Sequence, residues 1–223
     1  NNALTVNSST ILDVGQENIV NITTVSGITL NNGSILSVQA NTKTFTCSGA
    51  VTGTGGISLT QSGQGATRIN FNSTGNTFTG PIEYRVTPNA GQDGQLIVNS
   101  LADSASPGAG NIRFGVAGTG SNKHLFLYGS GAIAPLTLIN RRFELAGSHA
   151  LPVIGNSSSQ AFTINSDLLP SGTGTKTLTL QGAGAGLSTF AGKISNGTIT
   201  TLNLTKAESG TWVLSGANTY NGL

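Results

Sequence analysis

The sequence predicts an all-β protein built as a solenoid, and three observations carry this prediction. Short runs of alternating apolar and polar residues recur about every 8 to 14 residues along the chain. No window shows the apolar periodicity of an amphipathic helix. A strand–turn–strand module occurs twice, and the spacing between its two copies is almost constant.

The alternating runs are the predicted strands. Each run places two apolar residues on one face with a polar residue between them, which is typical of a half-buried strand. Clusters of Gly, Asn, Ser or Pro separate most of the runs and predict turns. In chain order the runs are Leu4-Thr5-Val6, Ile28-Thr29-Leu30, Ile57-Ser58-Leu59, Ile69-Asn70-Phe71, Ile112-Arg113-Phe114, Leu125-Phe126-Leu127, Leu136-Thr137-Leu138, Phe143-Glu144-Leu145, Phe162-Thr163-Ile164, Leu178-Thr179-Leu180 and Leu202-Asn203-Leu204.

The internal repeat distinguishes a solenoid from a sandwich or a barrel. Its two copies align with an offset that stays between 142 and 145 residues. A sandwich has no reason to reuse a module at this distance, whereas each coil of a solenoid has to match only its neighbours. The aligned pairs are Cys47–Val51 with Phe190–Ile194, Ile57–Leu59 with Leu202–Leu204, Ile69–Phe71 with Trp212–Leu214, and Asn76–Gly80 with Asn218–Gly222.

The second copy resembles the autotransporter-associated β-strand repeat of bacterial autotransporter passengers and very large secreted proteins. The match runs over Phe190-Ala191-Gly192-Lys193-Ile194-Ser195, Leu204-Thr205-Lys206 and Gly210–Gly222, and it covers roughly 35 residues. The copy around residues 45–80 is a degenerate version. The resemblance implies a right-handed, single-stranded parallel β-helix that is exported to the bacterial cell surface.

The predicted architecture is one β-helix domain over residues 1–223, with repeat modules near 45–85 and 188–223. A coil of roughly 20–25 residues predicts about 9 to 11 turns, and so a rod some 45–50 Å long at the usual strand spacing. Stacked Ile, Leu, Val and Phe are expected to fill the interior. Gly and Asn are expected to turn the corners.

Composition excludes several function classes. Only 8% of the residues are charged and the formal net charge is +2, so the chain has no polybasic patch for nucleic acid. It contains no apolar run long enough to span a membrane. Cys47, the single cysteine, excludes an internal disulfide, and its alignment with Phe190 predicts a buried apolar role. A hydroxyl-rich composition without a signal-like N-terminus favours a mature extracellular protein.

The ionisable residues predict no catalytic, cofactor-binding or metal site. The acidic residues are scattered, although acids one coil apart, such as Glu83 and Asp103, could meet across turns. Alternation places Arg142 and Glu144 on one face, where a surface ion pair is the simplest interpretation. His124 lies beside Lys123 after a Gly-Ser-Asn stretch, and we expect it to be exposed to solvent.

Both ends of the predicted β-helix are uncapped. Gly80 is followed by the strand-like run Pro81–Val86, whereas Gly222 is followed only by Leu223, and Asn1–Val6 looks like such a continuation strand. Either the chain is a segment of a longer one, or the end of one molecule pairs with the start of the next. The predicted contact residues are Asn1, Asn2, Ala3, Leu4, Thr5 and Val6 at one end and Trp212, Leu214, Asn218, Thr219, Tyr220, Asn221, Gly222 and Leu223 at the other.

The sequence therefore predicts a non-enzymatic extracellular rod without cofactors. Its partner would be a second copy bound head to tail, giving a fibre, or the flanking repeats of a longer surface protein whose stalk it forms. One alternative is an adhesin that binds a surface or glycan through loops around residues 86–110 and 117–135. Another is a carbohydrate-active β-helix enzyme, which would need acidic residues clustered across turns.

Overall fold

The computed structural model describes residues 2–14, 24–40, 43–60, 66–86, 93–116, 123–147 and 151–223. These residues form 22 strands, and every pairing between them is parallel. The strands stack as a β-solenoid of about 7 turns, which confirms the predicted all-β, parallel β-helix architecture. Within the described ranges, no helix is long and apolar enough to cross a membrane.

Each turn of the chain passes over three faces in a fixed order, and we name them faces I, II and III. Face I carries two separate sheets, while faces II and III each carry one. The strands of face I are β1 (Leu4–Val6), β4 (Ile28–Leu30) and β7 (Val51–Gly53), then β14 (Leu136–Leu138), β17 (Phe162–Ile164), β20 (Ser188–Phe190) and β22 (Trp212–Leu214).

Faces II and III are continuous sheets of seven and eight strands. Face II holds β2 (Thr10–Asp13), β5 (Ile35–Gln39), β8 (Gly56–Thr60), β10 (Ile82–Tyr84), β12 (Ile112–Phe114), β15 (Phe143–Leu145) and β18 (Leu169–Pro170). Face III holds β3 (Thr24–Val25), β6 (Thr44–Cys47), β9 (Thr67–Phe71), β11 (Gly94–Val98), β13 (Lys123–Tyr128), β16 (Leu151–Asn156), β19 (Thr175–Gln181) and β21 (Thr201–Lys206).

The prediction of 9 to 11 turns is wrong, because the turns are longer and more variable than expected. Leu36 pairs with Ile57, 21 residues later, whereas Ile112 pairs with Phe143, 31 residues later. About 7 turns at the usual strand spacing give a rod of about 34 Å instead of 45–50 Å. The extra residues lie in the corners, where they change no strand register.

The interior is a stack of inward-facing apolar side chains from all three faces. Alternate residues of each strand are buried, as the period-two pattern predicts. Aromatic rings follow one another between turns; Phe114 and Phe143 stack with their centroids 6.0 Å apart. Cys47 is fully buried in this core, which confirms its predicted apolar position, and burial raises the pKa of its thiol to about 11.

The two copies of the repeat do not lie on the same face. Cys47 is on face III and the aligned Phe190 is on face I, while Ile57 is on face II and the aligned Leu202 is on face III. Each aligned strand is thus displaced by one face. The three faces are equivalent enough that one sequence module fits the solenoid in either position.

Both copies nevertheless make the same contacts with the preceding or following turn. The side-chain Oδ1 of Asn76 accepts a hydrogen bond from the N–H of Val51 at 3.0 Å, and Oδ1 of Asn218 accepts one from Ile194 at 2.9 Å. Val51 and Ile194 are themselves aligned positions of the module. The repeat therefore encodes a bond between turns, and this bond does not depend on which face carries it.

The glycine shared by the two copies is required by a close approach. A Cβ atom on Gly49 would lie 1.6 Å from the carbonyl oxygen of Ser26, and one on Gly192 would lie 2.0 Å from that of Ser166. No side chain fits between backbones at this distance, so only glycine allows the turns to stack here.

The loops expected around residues 86–110 and 117–135 are largely regular structure. They contain β11 and β13, which continue the sheet of face III, because the alternation in Leu96–Val98 and Leu125–Leu127 keeps one side inward. Residues 87–92 and 117–122 of these predicted loops lie outside the described residues. What remains as irregular described chain is 99–111 and 129–135.

Candidate functional site

The first end of the solenoid exposes three edge strands and part of the apolar interior. The strands β1, β2 and β3 each have a paired neighbour on one side only. Leu4 and Leu12 point towards the core but are only partly buried. A cavity of about 230 Å³ opens here, lined by Asn2, Ala3, Leu4, Leu12, Thr24 and Val25. Asn1, also predicted at this end, lies outside the described residues.

The last end exposes the other surface of the same core. Leu204, Trp212, Leu214 and Tyr220 pack against the core and stay only partly buried, whereas their counterparts in inner turns are almost fully buried. Leu223 is fully exposed at the rim.

The predicted residues after Trp212–Leu214 are held onto the turn below by backbone and amide bonds. The N–H of Thr219 donates to the carbonyl oxygen of Ile194 at 2.9 Å, and the N–H of Asn221 donates to Oδ1 of Asn196 at 3.0 Å. The N–H of Gly222 donates to the carbonyl oxygen of Leu202 at 3.1 Å. These residues form the last ordered ladder of the stack, and their outer backbone edge faces away from it.

The edge strands of the two ends match in face and in alternation. β1 and β22 both belong to face I, with Leu4 and Val6 inward on one and Trp212 and Leu214 inward on the other. The outward residues at the same position are Thr5 and Val213. If the two ends met, apolar residues would lie over apolar residues.

The structure differs from the prediction that Asn1–Val6 continues the strand after Gly222. Residues 218–223 lie over residues 193–198, which lie over β18 on face II, so the next strand in the chain would belong to face III. Leu4–Val6 lies on face I instead. An end-to-end contact would therefore stack β1 over β22 and would not join Leu223 to Asn1 as one strand.

The charged residues of face II form a ladder across three turns. The guanidinium of Arg113 donates to Glu83 at 2.9 Å on one side and to Glu144 at 2.8 Å on the other, and Arg85 also donates to Glu83 at 2.7 Å. The hydrogen bond to Glu144, with smaller contributions from both carboxylates, raises the pKa of Arg113. These partners are 30 and 31 residues apart, so the local sequence gives no signal of the ladder.

Two expected charge contacts are absent from the described structure. Glu144 pairs with Arg113 and not with Arg142. Glu83 and Asp103 lie on different faces and do not meet, because Asp103 accepts hydrogen bonds from the backbone N–H groups of Asn140 and Arg141. The alternation rule assigned Arg142 and Glu144 correctly to one side of a strand, but it could not give the register between turns.

Arg141 is fully buried beneath face I, which the sequence does not indicate. Its guanidinium donates to the carbonyl oxygens of Gly80 at 2.8 Å, Phe78 at 3.1 Å and Ala102 at 3.1 Å, and also to that of Gly110. Burial lowers the pKa of Arg141 to about 10, although the nearby Asp103 carboxylate opposes the shift. The side chain is thus a structural donor of hydrogen bonds to several turns.

His124 is buried, so the prediction that it is exposed is wrong. β13 begins at Lys123, one residue earlier, and His124 is its first inward residue. It lies beside Gly94 of the preceding turn, which leaves room for the imidazole ring. The ring stacks on Tyr84 at 5.3 Å between centroids, and its Nδ1 accepts a hydrogen bond from the N–H of Gly115 at 3.2 Å.

The described residues offer little for catalysis or metal binding. No group of three or more His, Cys, Asp or Glu side chains among them is placed to hold a metal ion. An open cavity of about 510 Å³ on face II is lined in part by Glu144, Asp167 and Lys193. One of its two carboxylates, Glu144, is engaged by Arg113, so the pair lacks the independence that an acid and a nucleophile need.

In comparisons with known proteins, no protein-family model matches the chain, and neither a curated protein nor a solved structure matches it. The β-solenoid architecture therefore rests on the structure itself. The autotransporter-repeat family stays a prediction from the sequence motif.

Proposed function

We propose that the protein is a non-enzymatic, extracellular structural rod whose end turns stack on further β-solenoid turns, in the first instance those of a second copy bound head to tail. The observation that carries the proposal is the match between the two ends. Each end exposes edge strands and partly buried apolar residues, and β1 and β22 share a face and an inward–outward alternation.

The energetics favour such stacking. Edge strands present unpaired backbone groups that another strand can satisfy, and the partly exposed core residues gain burial at about 25 cal/mol per Å² of apolar area. With only 8% charged residues, the contact would depend weakly on salt. A head-to-tail contact of this kind does not close on itself, so it produces a filament.

The resemblance of Phe190–Gly222 to the autotransporter-associated repeat supports placement at a bacterial cell surface. In the alternative that the sequence leaves open, the next turns belong to the same, longer chain, and the rod is the stalk of a surface protein. Both versions use the same end surfaces and differ in what covers them.

Negative-stain electron microscopy of the purified chain across a concentration series tests the proposal. We expect filaments with an axial repeat of about 34 Å, the height of about 7 turns. Short single rods at every concentration would contradict stacking between copies and would favour the stalk.

A pair of neighbouring substitutions makes the test specific. Leu12→Lys places a charge in the terminal cavity, because Leu12 is inward and lines it. Ile11→Lys is the matched control, because Ile11 is 63% exposed on the outer side of the same edge strand. We expect Leu12→Lys to abolish filaments and Ile11→Lys to keep them, with circular dichroism showing that both variants fold. Filaments of equal length in the two variants would contradict the proposed end contact.

A further inference from the structure

Face I carries no charged side chain on any of its strands. The described segments that form it are 4–6, 28–30, 51–53, 77–79, 136–139, 161–165, 187–191 and 211–215, and none contains Asp, Glu, Lys or Arg. Apart from Asn1, every residue outside the description lies in the chain between a face II strand and the next face III strand. The segments of face I are therefore described throughout.

The charges nearest to face I are used inside the molecule. Arg141 is buried beneath it, and Asp103, in the irregular stretch 99–111, accepts hydrogen bonds from the backbone of Asn140 and Arg141. By contrast, face II carries the Glu83–Arg113–Glu144 ladder, and face III carries Arg68, Gln95 and Lys123 around a cavity. The lack of charge is thus a property of one face and not of the whole surface.

Exposed aliphatic residues concentrate on the same face. Ile133, Ile139, Leu187 and Val213 are between 41% and 73% exposed, and each lies in, beside or just before a strand of face I. Between them runs a row of outward threonines in register from turn to turn, formed by Thr137, Thr163 and Thr189. A surface that is apolar, uncharged and regular in this way is typical of a site that binds a protein.

We propose that face I is the surface through which two copies of this chain pack side by side. Two identical uncharged faces meet without like-charge repulsion and without burying an unpaired charge, which is the main penalty in a two-fold symmetric contact. Threonine methyl groups and the four aliphatic side chains can interdigitate as they do where two sheets pack face to face.

The size of the face fits this occupant. About 7 turns give a face about 34 Å long, and strands with their flanking residues make it about 17 Å wide, so each copy buries roughly 600 Å². A pair buries roughly 1,200 Å² in total, the lower limit of specific protein–protein interfaces. The four strands β14, β17, β20 and β22 alone would bury about half of that, so the pairing must use the whole face.

Lateral pairing is separate from the end contact of the proposed function. Sedimentation velocity of the wild type and of Leu12→Lys, over a range of concentrations, separates the two contacts. We expect Leu12→Lys, whose ends are blocked, to be a reversible dimer. If the end contact does not exist, the wild type gives the same dimer, so failure of one proposal leaves the other measurable.

Two double variants locate the contact. Thr163→Lys with Thr189→Lys places two charges in the middle of face I, and we expect the dissociation constant of the dimer to rise at least about tenfold. Thr179→Lys with Thr205→Lys is the matched control, because these threonines are also outward and in register on adjacent turns, but on face III. We expect the control to dimerise like its parent.

Two results would overturn the lateral contact. One is a chain that stays monomeric at every concentration, including one that instead adsorbs to ice through its threonine rows. The other is a dimer that both double variants weaken equally, since this would place the contact elsewhere.

Discussion

Faces I and III solve the same stacking problem in different ways. Face III is one sheet of eight strands, and its backbone groups are satisfied from turn to turn by the ladder itself. Face I is interrupted between β7 and β14. There, residues 77–79 still follow β7, with the N–H of Thr77 donating to Val51 at 2.8 Å, but 99–111 forms no strand.

The difference shows what a broken parallel ladder requires. Carbonyl groups that lose their ladder partner inside the molecule must find another donor. Arg141 supplies it, because a guanidinium has five N–H donors in a fixed plane and can serve several turns at once. The carbonyl oxygens that it binds belong to Phe78, Gly80, Ala102 and Gly110, all within the interrupted stretch.

Lys176 is the corresponding buried cation of face III. It lies inward on β19 and donates through Nζ to the carbonyl oxygens of Ala146 at 3.2 Å and Gly147 at 2.8 Å. Burial lowers the pKa of this amine to about 8. Lys176 supplements an intact sheet, whereas Arg141 replaces a missing part of one, so the two should differ sharply when they are removed.

The largest effect is expected for Arg141→Met. The substitution leaves the buried carbonyls of the interrupted stretch without donors and leaves Asp103 without its cation, and we expect a loss of about 3–5 kcal/mol in the free energy of unfolding. Urea denaturation measures it. Arg142→Met, one residue later and more exposed, is the control and should change stability by less than about 0.5 kcal/mol. Equal losses would refute the role of Arg141 as a substitute for the ladder.

A smaller effect is expected at the asparagines shared by the two copies of the repeat. Asn76 is 3% exposed, and besides the bond from Val51 its amide donates to Ser73 and Ser100. Asn218 accepts the equivalent bond from Ile194 at the exposed end. We expect Asn76→Ala to cost about 2 kcal/mol and Asn218→Ala about 1 kcal/mol in urea denaturation. A neutral Asn218→Ala would contradict the idea that both copies encode the same bond.

The smallest effect is expected for Lys176→Met, and it depends on pH. The amine has a pKa of about 8 in the folded protein and 10.5 as its ordinary value. Between these values the unfolded chain binds more protons than the folded one, so this group makes stability rise with pH from about 8 to about 10.5. Lys176→Met should remove that rise and change stability by no more than about 1 kcal/mol at pH 7.

Thermal or urea unfolding of the wild type and Lys176→Met at pH 7, 8, 9 and 10 provides the measurement. Taking the difference between the two proteins cancels the contributions of Cys47 and Tyr84, which also titrate at high pH. A difference that does not change with pH would show that the amine is not kept from solvent.

The sequence predicts those parts of the structure that depend on neighbouring residues. The alternation in Leu125–Leu127 or Phe162–Ile164 specifies a strand and its inward side, and the repeated Asn and Gly positions indicate that turns stack. Corner lengths are not encoded in this pattern, so the 21 residues from Leu36 to Ile57 and the 31 from Ile112 to Phe143 are not predictable from it. The predicted number of turns failed for this reason.

Contacts between turns are the other part that the sequence does not reveal. His124 has a polar neighbourhood in the chain but a buried one in space, because Gly94 in the turn below leaves it room. Arg113 meets its two carboxylates only through the register of face II. The uncharged character of face I likewise appears only when segments from successive turns are placed side by side.

The displacement of the repeat by one face has a consequence for how such a rod can change. An insertion or deletion of one strand with its corner would leave every hydrogen-bonded layer intact, because Asn76 and Asn218 form the same bond on different faces. All side chains beyond the change would rotate by a third of a revolution around the rod axis. A short length mutation could therefore redirect the outer chemistry of one half of the molecule relative to the other, with no substitution at the surface.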